Sequence, residues 1–163
     1  MMRFKVSALI RAEVGAQLTH RIDEPERRLG HDLTVDYLRG KLLLTRTDQH
    51  ILVAGDVNTA LSTECVRCLD TFRLPLRIRL EELFSLTFGP HTSDAVYVVA
   101  PDGTIDLTLP LREQILLVQP IQPLCRPDCK GLCSTCGKNL NEGPCNCEDE
   151  SIDPRLATLR ALL

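Results

Sequence analysis

Tryptophan is absent from the chain, and aromatic residues make up only 4% of it. Leucine, valine and isoleucine must therefore fill any core, and aromatic platforms for stacking single-stranded nucleic acid are lacking. Positive charge is not in excess either, the formal net charge being −3. That argues against affinity from a surface that blankets a phosphate backbone, but leaves room for a local basic face. No stretch approaches the ~20 apolar residues of a membrane-spanning helix. The N-terminus M-M-R-F-K-V-S-A-L-I-R-A-E has no long apolar run and reaches Glu13 early. It reads as neither a secretory signal nor a transit peptide, so the expected compartment is a reducing cytoplasm.

Catalytic signatures are missing as well. There is no H-E-x-x-H, Walker loop, G-x-G-x-x-G or G-x-S-x-G. The residues two places after His20, His31, His50 and His91 are Ile22, Leu33, Leu52 and Ser93, so the H-x-E of zinc deaminases is absent too. The scattered histidines read as surface residues. No enzyme activity and no small-molecule substrate is expected.

What the chain does have is eight cysteines in 163 residues, six of them crowded between Leu124 and Cys147. The spacings there are C-x3-C (Cys125, Cys129), C-x2-C (Cys133, Cys136) and C-x-C (Cys145, Cys147). The other two, Cys65 and Cys68, form a C-V-R-C hook far upstream. Paired thiols this close can reach one metal ion from a single tight turn, and tetrahedral zinc takes four. Gly137, directly after Cys136, suits the left-handed backbone of a metal knuckle. Only Leu124, Leu132 and Leu140 are bulky and apolar in this stretch. Burial cannot offset its ordering entropy, so metal, disulfides or disorder must account for it, and a reducing compartment favours metal.

The length suits one domain with an appendage. Phe4, Val6, Leu9 and Ile10 form a short apolar segment, read as a strand or a single helical turn. A turn at Gly15, a strand over Q-L-T-H-R-I-D and a charged loop at Glu24–Arg28 follow. Alternation then predicts three or four antiparallel strands: Leu33, Val35 and Tyr37; Leu42 and Leu44; Ile51 and Val53, continuing through Val57, Thr59, Leu61 and Thr63. T-D-Q-H suits a hairpin turn. After the hook, Phe72, Leu74, Leu76, Ile78 and Leu80 share one face of a strand. Arg73, Arg77 and Arg79 share the other, with Pro75 marking an edge strand. A short strand is expected at Ala95–Val99 after the loop G-P-H-T-S-D. A helix is expected over 108–119, with Thr108 as N-cap, Pro110 in its first turn, Leu107, Leu111, Ile115 and Val118 at helical spacing, and an apolar end packed on the sheet. A last helix, capped by Asp153 with Leu156, Leu159 and Leu163 on one face, must dock on something because it is too short to stand alone.

The contiguous set Cys133, Cys136, Cys145 and Cys147 can close on one metal ion. That leaves Cys65, Cys68, Cys125 and Cys129 for a site drawn from two distant segments, a split favoured over swapped pairings or a single site. All-cysteine sites are normally closed, so the metal role is structural. Two zinc ions are expected, although spacing alone leaves iron open. A reduced thiol pair or a redox couple at Cys65 and Cys68 is the plainer alternative, but redox pairs usually open a helix and this one sits between strands. Arg67, Arg73, Arg77, Arg79 and Lys130 form a candidate partner-binding face. It reads equally as a solvated strand face balanced by Glu81 and Glu82.

C-V-R-C-L-D-T-F, P-L-C-R-P-D-C-K-G-L-C-S-T-C-G-K-N-L-N-E-G-P-C-N-C and I-D-P-R-L-A-T-L, in that order, together resemble the YceD family. The likeness spans nearly the whole chain, though the N-terminal third matches only in general character. It implies a bacterial or plastid protein needed for accumulation of 23S rRNA, with no established enzymatic activity. The family's gene commonly neighbours that of a large-subunit ribosomal protein. Some members keep the hook and lose much of the tail cluster, which implies two sites of unequal importance. The expected architecture is α+β: an antiparallel β-meander with one packed helix and a cysteine-rich zinc-binding tail. A body over 1–123 carries the Cys65/Cys68 hairpin hook, and a tail over 124–163 carries the remaining cysteines and the last helix. The expected partners are large-subunit rRNA, a ribosomal protein or an assembly factor. Runner-up functions are a protein–protein adaptor or chaperone for a ribosomal protein, and a thiol redox switch.

Overall fold

In a computed structural model, residues 2–86 and 97–147 are described. The elements are β1 (Arg3–Lys5), α1 (Ser7–Ile10), β2 (Gln17–Glu24), β3 (Arg27–Leu29), β4 (Leu33–Val35), β5 (Tyr37–Arg46), β6 (His50–Glu64), β7 (Thr71–Ser85), β8 (Tyr97–Val98), β9 (Thr104–Asp106) and α2 (Thr108–Val118). Strands predominate and helices are few, within the α+β class. The main sheet runs β2-β5-β6-β7-β8, antiparallel except for the short β7–β8 pairing, and two small sheets, β1-β9 and β3-β4, accompany it. Strands β5, β6 and β7 form the meander that alternation predicts.

Alternation sorts the sheet's two faces. Leu38, Leu42, Leu44, Ile51, Val53, Val57, Leu76, Ile78, Leu80 and Phe84 are buried on one face. They join Val6 and Leu9 at the start of the chain, Leu29, Leu33 and Val35 of the β3–β4 hairpin, Ile105 of β9, and Leu107, Leu111 and Ile115 at α2 in one core. The opposite face is open to solvent over β2, β5, β6 and β7. At one crossing the backbones admit no side chain: a Cβ on Gly40 would lie 2.3 Å from the Asp56 carbonyl oxygen, and one on Gly55 2.2 Å from that of Lys41.

Thr47–His50 closes the β5–β6 hairpin, Thr47 N–H donating to the His50 carbonyl at 2.9 Å. Pro75 stands opposite Ala60, on a length of β7 whose outer side carries no strand among the described residues, where β8 pairs only at Phe84 and Ser85. Without an N–H to donate, proline is tolerated on that free edge.

Some expectations need correction. The run Leu33, Val35, Tyr37 is not one strand. It breaks at Asp36, whose N–H donates to the Ala60 carbonyl, so Leu33 and Val35 enter the core while Tyr37 starts β5. The charged loop at Glu24–Arg28 is largely strand, because β2 runs through Glu24 and β3 begins at Arg27. The first apolar segment, read as a strand or a helical turn, holds both, β1 at Arg3–Lys5 and one helical turn at Ser7–Ile10. Thr108 lies just inside α2 and Leu107 takes the cap position, while Asp106 accepts from both the Thr108 N–H (2.9 Å) and its hydroxyl (2.5 Å). The apolar end of α2 does not pack as a whole. Ile115 is buried, but Leu116, Leu117 and Val118 are exposed, because the helix meets the core along one side only. The loop G-P-H-T-S-D, Ala95 and the expected helix after Asp153 lie outside the described residues. Among those described, no helix is long and apolar enough to cross a membrane.

Candidate metal centres and cationic face

The hook is the turn between the two longest strands. Cys65 follows β6, Cys68 precedes β7, and Cys65 N–H donates to the Asp70 carbonyl at 3.0 Å across the turn. Beyond α2 the chain returns to this turn. Val66 N–H donates to the Pro123 carbonyl at 3.0 Å, Arg67 Nη1 to the Cys129 carbonyl at 2.9 Å, and Asn139 Nδ2 to Asp70 Oδ2 at 2.8 Å. The sulfurs of Cys65, Cys68, Cys125 and Cys129 thereby gather within 4.8 Å of one another, despite a sequence separation of about sixty residues. Phe72, Leu124 and Leu132 pack around them.

The second group is Cys133, Cys136, Cys145 and Cys147, again within 4.8 Å of one another and more exposed. Its local frame is built by Cys133 N–H donating to the Lys138 carbonyl, Gly137 N–H to the Cys133 carbonyl, and Lys138 Nζ to the Pro144 carbonyl. The membership of both groups is the division favoured from spacing.

Distances and donors suit a tetrahedral cation. Sulfurs each ~2.3 Å from one zinc-sized ion stand about 3.8 Å apart; Cys65–Cys129 is 3.8 Å and Cys68–Cys125 is 3.6 Å. Burial alone pushes the Cys65 thiol up, but the amides of Cys125, Cys68 and Arg67 outweigh it and bring the thiol to about 6. Asn141 Nδ2, 3.3 Å from the Cys129 sulfur, holds that thiol down. Cys68 has the Asp70 amide facing it, yet burial, the Asp70 carboxylate and its neighbour thiols carry it upward. In the second group the Cys136 and Thr135 amides bring Cys133 to about 6, while Cys136, burial and Cys133 push Cys147 up to about 12. Each group thus prepares some thiolates and resists the remainder for want of positive charge, which a divalent cation supplies. Both groups could hold metal ions.

The candidate partner-binding residues divide. Arg73, Arg77 and Arg79 project from the solvent face of β7. Arg67 and Lys130 lie at the metal end: the Arg67 guanidinium braces Cys129, and Lys130 N–H donates to Asn141 Oδ1 at 2.9 Å. Glu82 does not balance the arginines, since it accepts from Gln114 of α2 on the core side. The carboxylates that do so are Asp36, 2.6 Å from Arg73, and Asp56, 3.3 Å from Arg77. Sequence reasoning missed Arg21, Arg39 and Lys41, which the register of β2, β5 and β6 sets on the same face. Charged residues alternating with apolar ones in β2 and β5 were the available signal; the strand order was not.

A family model described as large ribosomal RNA subunit accumulation protein YceD matches residues 53–163. An uncharacterized protein of Mycobacterium tuberculosis is 39% identical over 126 residues, which cover 75% of this chain and 60% of that protein. The chain therefore spans about 60% of the length of the mycobacterial relatives it matches. The Bacillus subtilis protein YlbN is 33% identical over 100 residues, 61% of this chain and 58% of its own. The chloroplastic large ribosomal RNA subunit accumulation protein YCED homolog 1 of Zea mays is 38% identical over 60 residues, 36% of this chain and 20% of the maize protein. No solved structure matches. With the hook and the whole cysteine tail inside the matched residues, the chain belongs to the YceD family, the large ribosomal RNA subunit accumulation proteins.

Proposed function

We propose that this protein is a non-enzymatic factor for 23S rRNA accumulation and large-subunit assembly, held in shape by two structural zinc ions. One zinc takes Cys65, Cys68, Cys125 and Cys129; the other takes Cys133, Cys136, Cys145 and Cys147. The reading rests on one observation: the hook thiols meet Cys125 and Cys129, in a chain whose family is named for large-subunit rRNA. Four thiolates close a tetrahedral site and leave no position for substrate, so the metal shapes the protein and performs no chemistry. The first zinc clamps the tail (124–163) to the body (1–123), and the second orders the tail itself. The product is a rigid surface, presented in a reducing cytoplasm to rRNA, a ribosomal protein or an assembly factor.

Metal content and rRNA level test this together. Protein purified without added zinc is expected to carry two zinc equivalents. Cells lacking the gene are expected to lose 23S rRNA, and a copy carrying Cys68→Ser to restore little of it. Normal 23S rRNA in the deletion strain overturns the function, and protein free of metal overturns the clamp.

One observation favours an adaptor for another protein as the second reading. Leu117 and Ile121 are 77% and 97% exposed beside the tail's entry. Such contacts resist salt, whereas arginine–phosphate contacts weaken steeply with it.

A further inference from the structure

We propose that the open face of the β2-β5-β6-β7 sheet, centred on the cross-strand row Arg21, Lys41 and Arg79, is where this protein grips the phosphate backbone of RNA. This rests on the rRNA reading above, and extends the contact from β7 across the sheet to β5 and β2, strands not implicated before.

The register sets the row out. Arg21 faces Lys41, Lys41 faces Asp56, and Asp56 faces Arg79. In the next row Asp23, Arg39, Asn58 and Arg77 face one another in turn. All eight are exposed, and α1, α2 and both small sheets pack on the other side. At ~4.8 Å between strands, Arg21 to Arg79 spans about 14 Å, room for several consecutive phosphates.

The charge is segregated. The chain as a whole carries −3, yet Arg21, Arg39, Lys41, Arg73, Arg77 and Arg79 cluster here against Asp23, Asp36 and Asp56, with Glu64 and Glu81 only at the two ends. Each of the three aspartates is engaged: Asp23 with Arg39 at 3.0 Å, Asp36 with Arg73 and Asp56 with Arg77. Arg21, Lys41 and Arg79 make no ion pair among the described residues. Like charges directly opposed across strands are destabilising, and Arg21 faces Lys41 on the sheet's outermost pairing. A bound polyanion turns that liability into affinity.

The surface is also shaped. A groove of about 810 Å³ runs along Thr19, Arg21, Arg39, Lys41, Asp56 and Asn58. Nearby, the Arg39 and Arg73 guanidiniums lie 5.3 and 5.4 Å from the centre of the Tyr37 ring, which presents them as flat cationic surfaces. Few apolar side chains interrupt these rows, so the face suits a repeating anion better than an apolar protein segment.

Binding of the full metal-loaded chain to a fluorescein-labelled large-subunit rRNA transcript tests this. The double variant Arg21→Glu with Lys41→Glu is compared with a charge-matched control on the other layer, Lys5→Glu with Arg11→Glu. The face variant is expected to bind about tenfold more weakly, with a log–log salt slope about two units shallower. The control is expected to bind nearly as wild type. Arg21→Glu alone, which converts the opposed pair into an attractive one and leaves Lys41 facing Asp56, is expected to melt no lower than wild type while still losing affinity. Equal losses in both doubles, or none in either, overturn the proposal. So does polyglutamate that displaces the transcript as well as unlabelled RNA does, which points to an acidic protein instead. If cells need the gene for 23S rRNA but the face variant restores it fully, this inference falls and the broader reading stands; if they do not need the gene, the broader reading falls.

Discussion

Leu69 and Gly137 hold equivalent places in two knuckles of the same chain. Each follows the second cysteine of a C-x2-C pair. Each has a left-handed backbone, with φ of 61° and 71°. Each donates its N–H to the carbonyl of the first cysteine at 2.9 Å, Leu69 to Cys65 and Gly137 to Cys133. Glycine adopts this conformation freely; a leucine there costs ~1–2 kcal/mol. Leu69 is the single non-glycine with positive φ among the described residues, and at 61% exposed it recovers little by burial. Leu69→Gly is therefore expected to leave metal content unchanged and to keep or raise the melting temperature. Gly137→Ala is expected to lower stability by about 1 kcal/mol through φ alone, since no atom lies within 4 Å of the added Cβ. Calorimetry of the metal-loaded proteins checks both signs; a clear loss in Leu69→Gly would mean that the leucine packs where it looks exposed.

The two thiol groups differ in what they join, so they should fail differently. Cys65, Cys68, Cys125 and Cys129 link the β6–β7 turn to the returning chain, and three of the four are buried. Cys133, Cys136, Cys145 and Cys147 link only near neighbours. Cys68→Ser is expected to lose one metal equivalent, lower the melting temperature of the whole protein and open residues 124–147 to protease. Cys136→Ser is expected to lose one equivalent while the sheet melts as before. Elemental analysis with limited proteolysis separates the two; full metal content in Cys68→Ser would sink the two-segment site.

Local pattern was legible, and placement was not. Long alternations made β5, β6 and β7 readable, since the side-chain period of a strand is two. The cysteine division was readable because C-x2-C-x8-C-x-C can close locally. Strands β3 and β4 have three residues each, too few for any period to show. The β1–β9 pairing joins Phe4 to Ile105, and nothing near either residue announces the other. Arg21, Lys41 and Arg79 share a row only because of strand order and register, so Arg73, Arg77 and Arg79, the part of the expected face on β7, are half of the cations the sheet assembles. The end of α2 misled for a related reason: consecutive leucines look like core, but a helix resting on one side of a sheet buries only its facing residues.

Acid should expose one tertiary clamp. Arg112 of α2 donates from Nε and Nη2 to the two Asp32 carboxylate oxygens at 3.1 and 2.8 Å. These bonds, with the guanidinium charge, hold Asp32 below its ordinary 3.8. A carboxyl whose folded pKa is depressed contributes stability that is complete above the unfolded value and is lost as pH falls through the folded one. Asp32→Asn is thus expected to melt below wild type at neutral pH. The gap should narrow below 3.8 and close once wild-type Asp32 is protonated. Both partners touch solvent, so a modest gap that salt shrinks is expected. A gap unchanged from neutral pH to strong acid would show that the carboxylate charge plays no part.

The crossing of β5 and β6 offers a last test, because it ties the fold to the groove. A Cβ on Gly40 meets the Asp56 carbonyl oxygen at 2.3 Å, Val57 Cα at 2.9 Å and Val57 Cγ2 at 3.1 Å. Two of these are backbone atoms, so the strands must part to admit a methyl group. Overpacking of this kind costs ~1–3 kcal/mol, and Gly40→Ala is expected to lose more stability than Gly137→Ala, whose surroundings are open. Parting the strands also shifts Arg39 and Lys41, the neighbours of Gly40 that line the groove. Gly40→Ala should therefore weaken RNA binding without altering any charge. Denaturant unfolding with an unchanged slope reads the first effect, and transcript binding under fully folded conditions reads the second. Wild-type affinity in a destabilised Gly40→Ala would separate the groove's shape from its charge and leave the cations alone to account for binding.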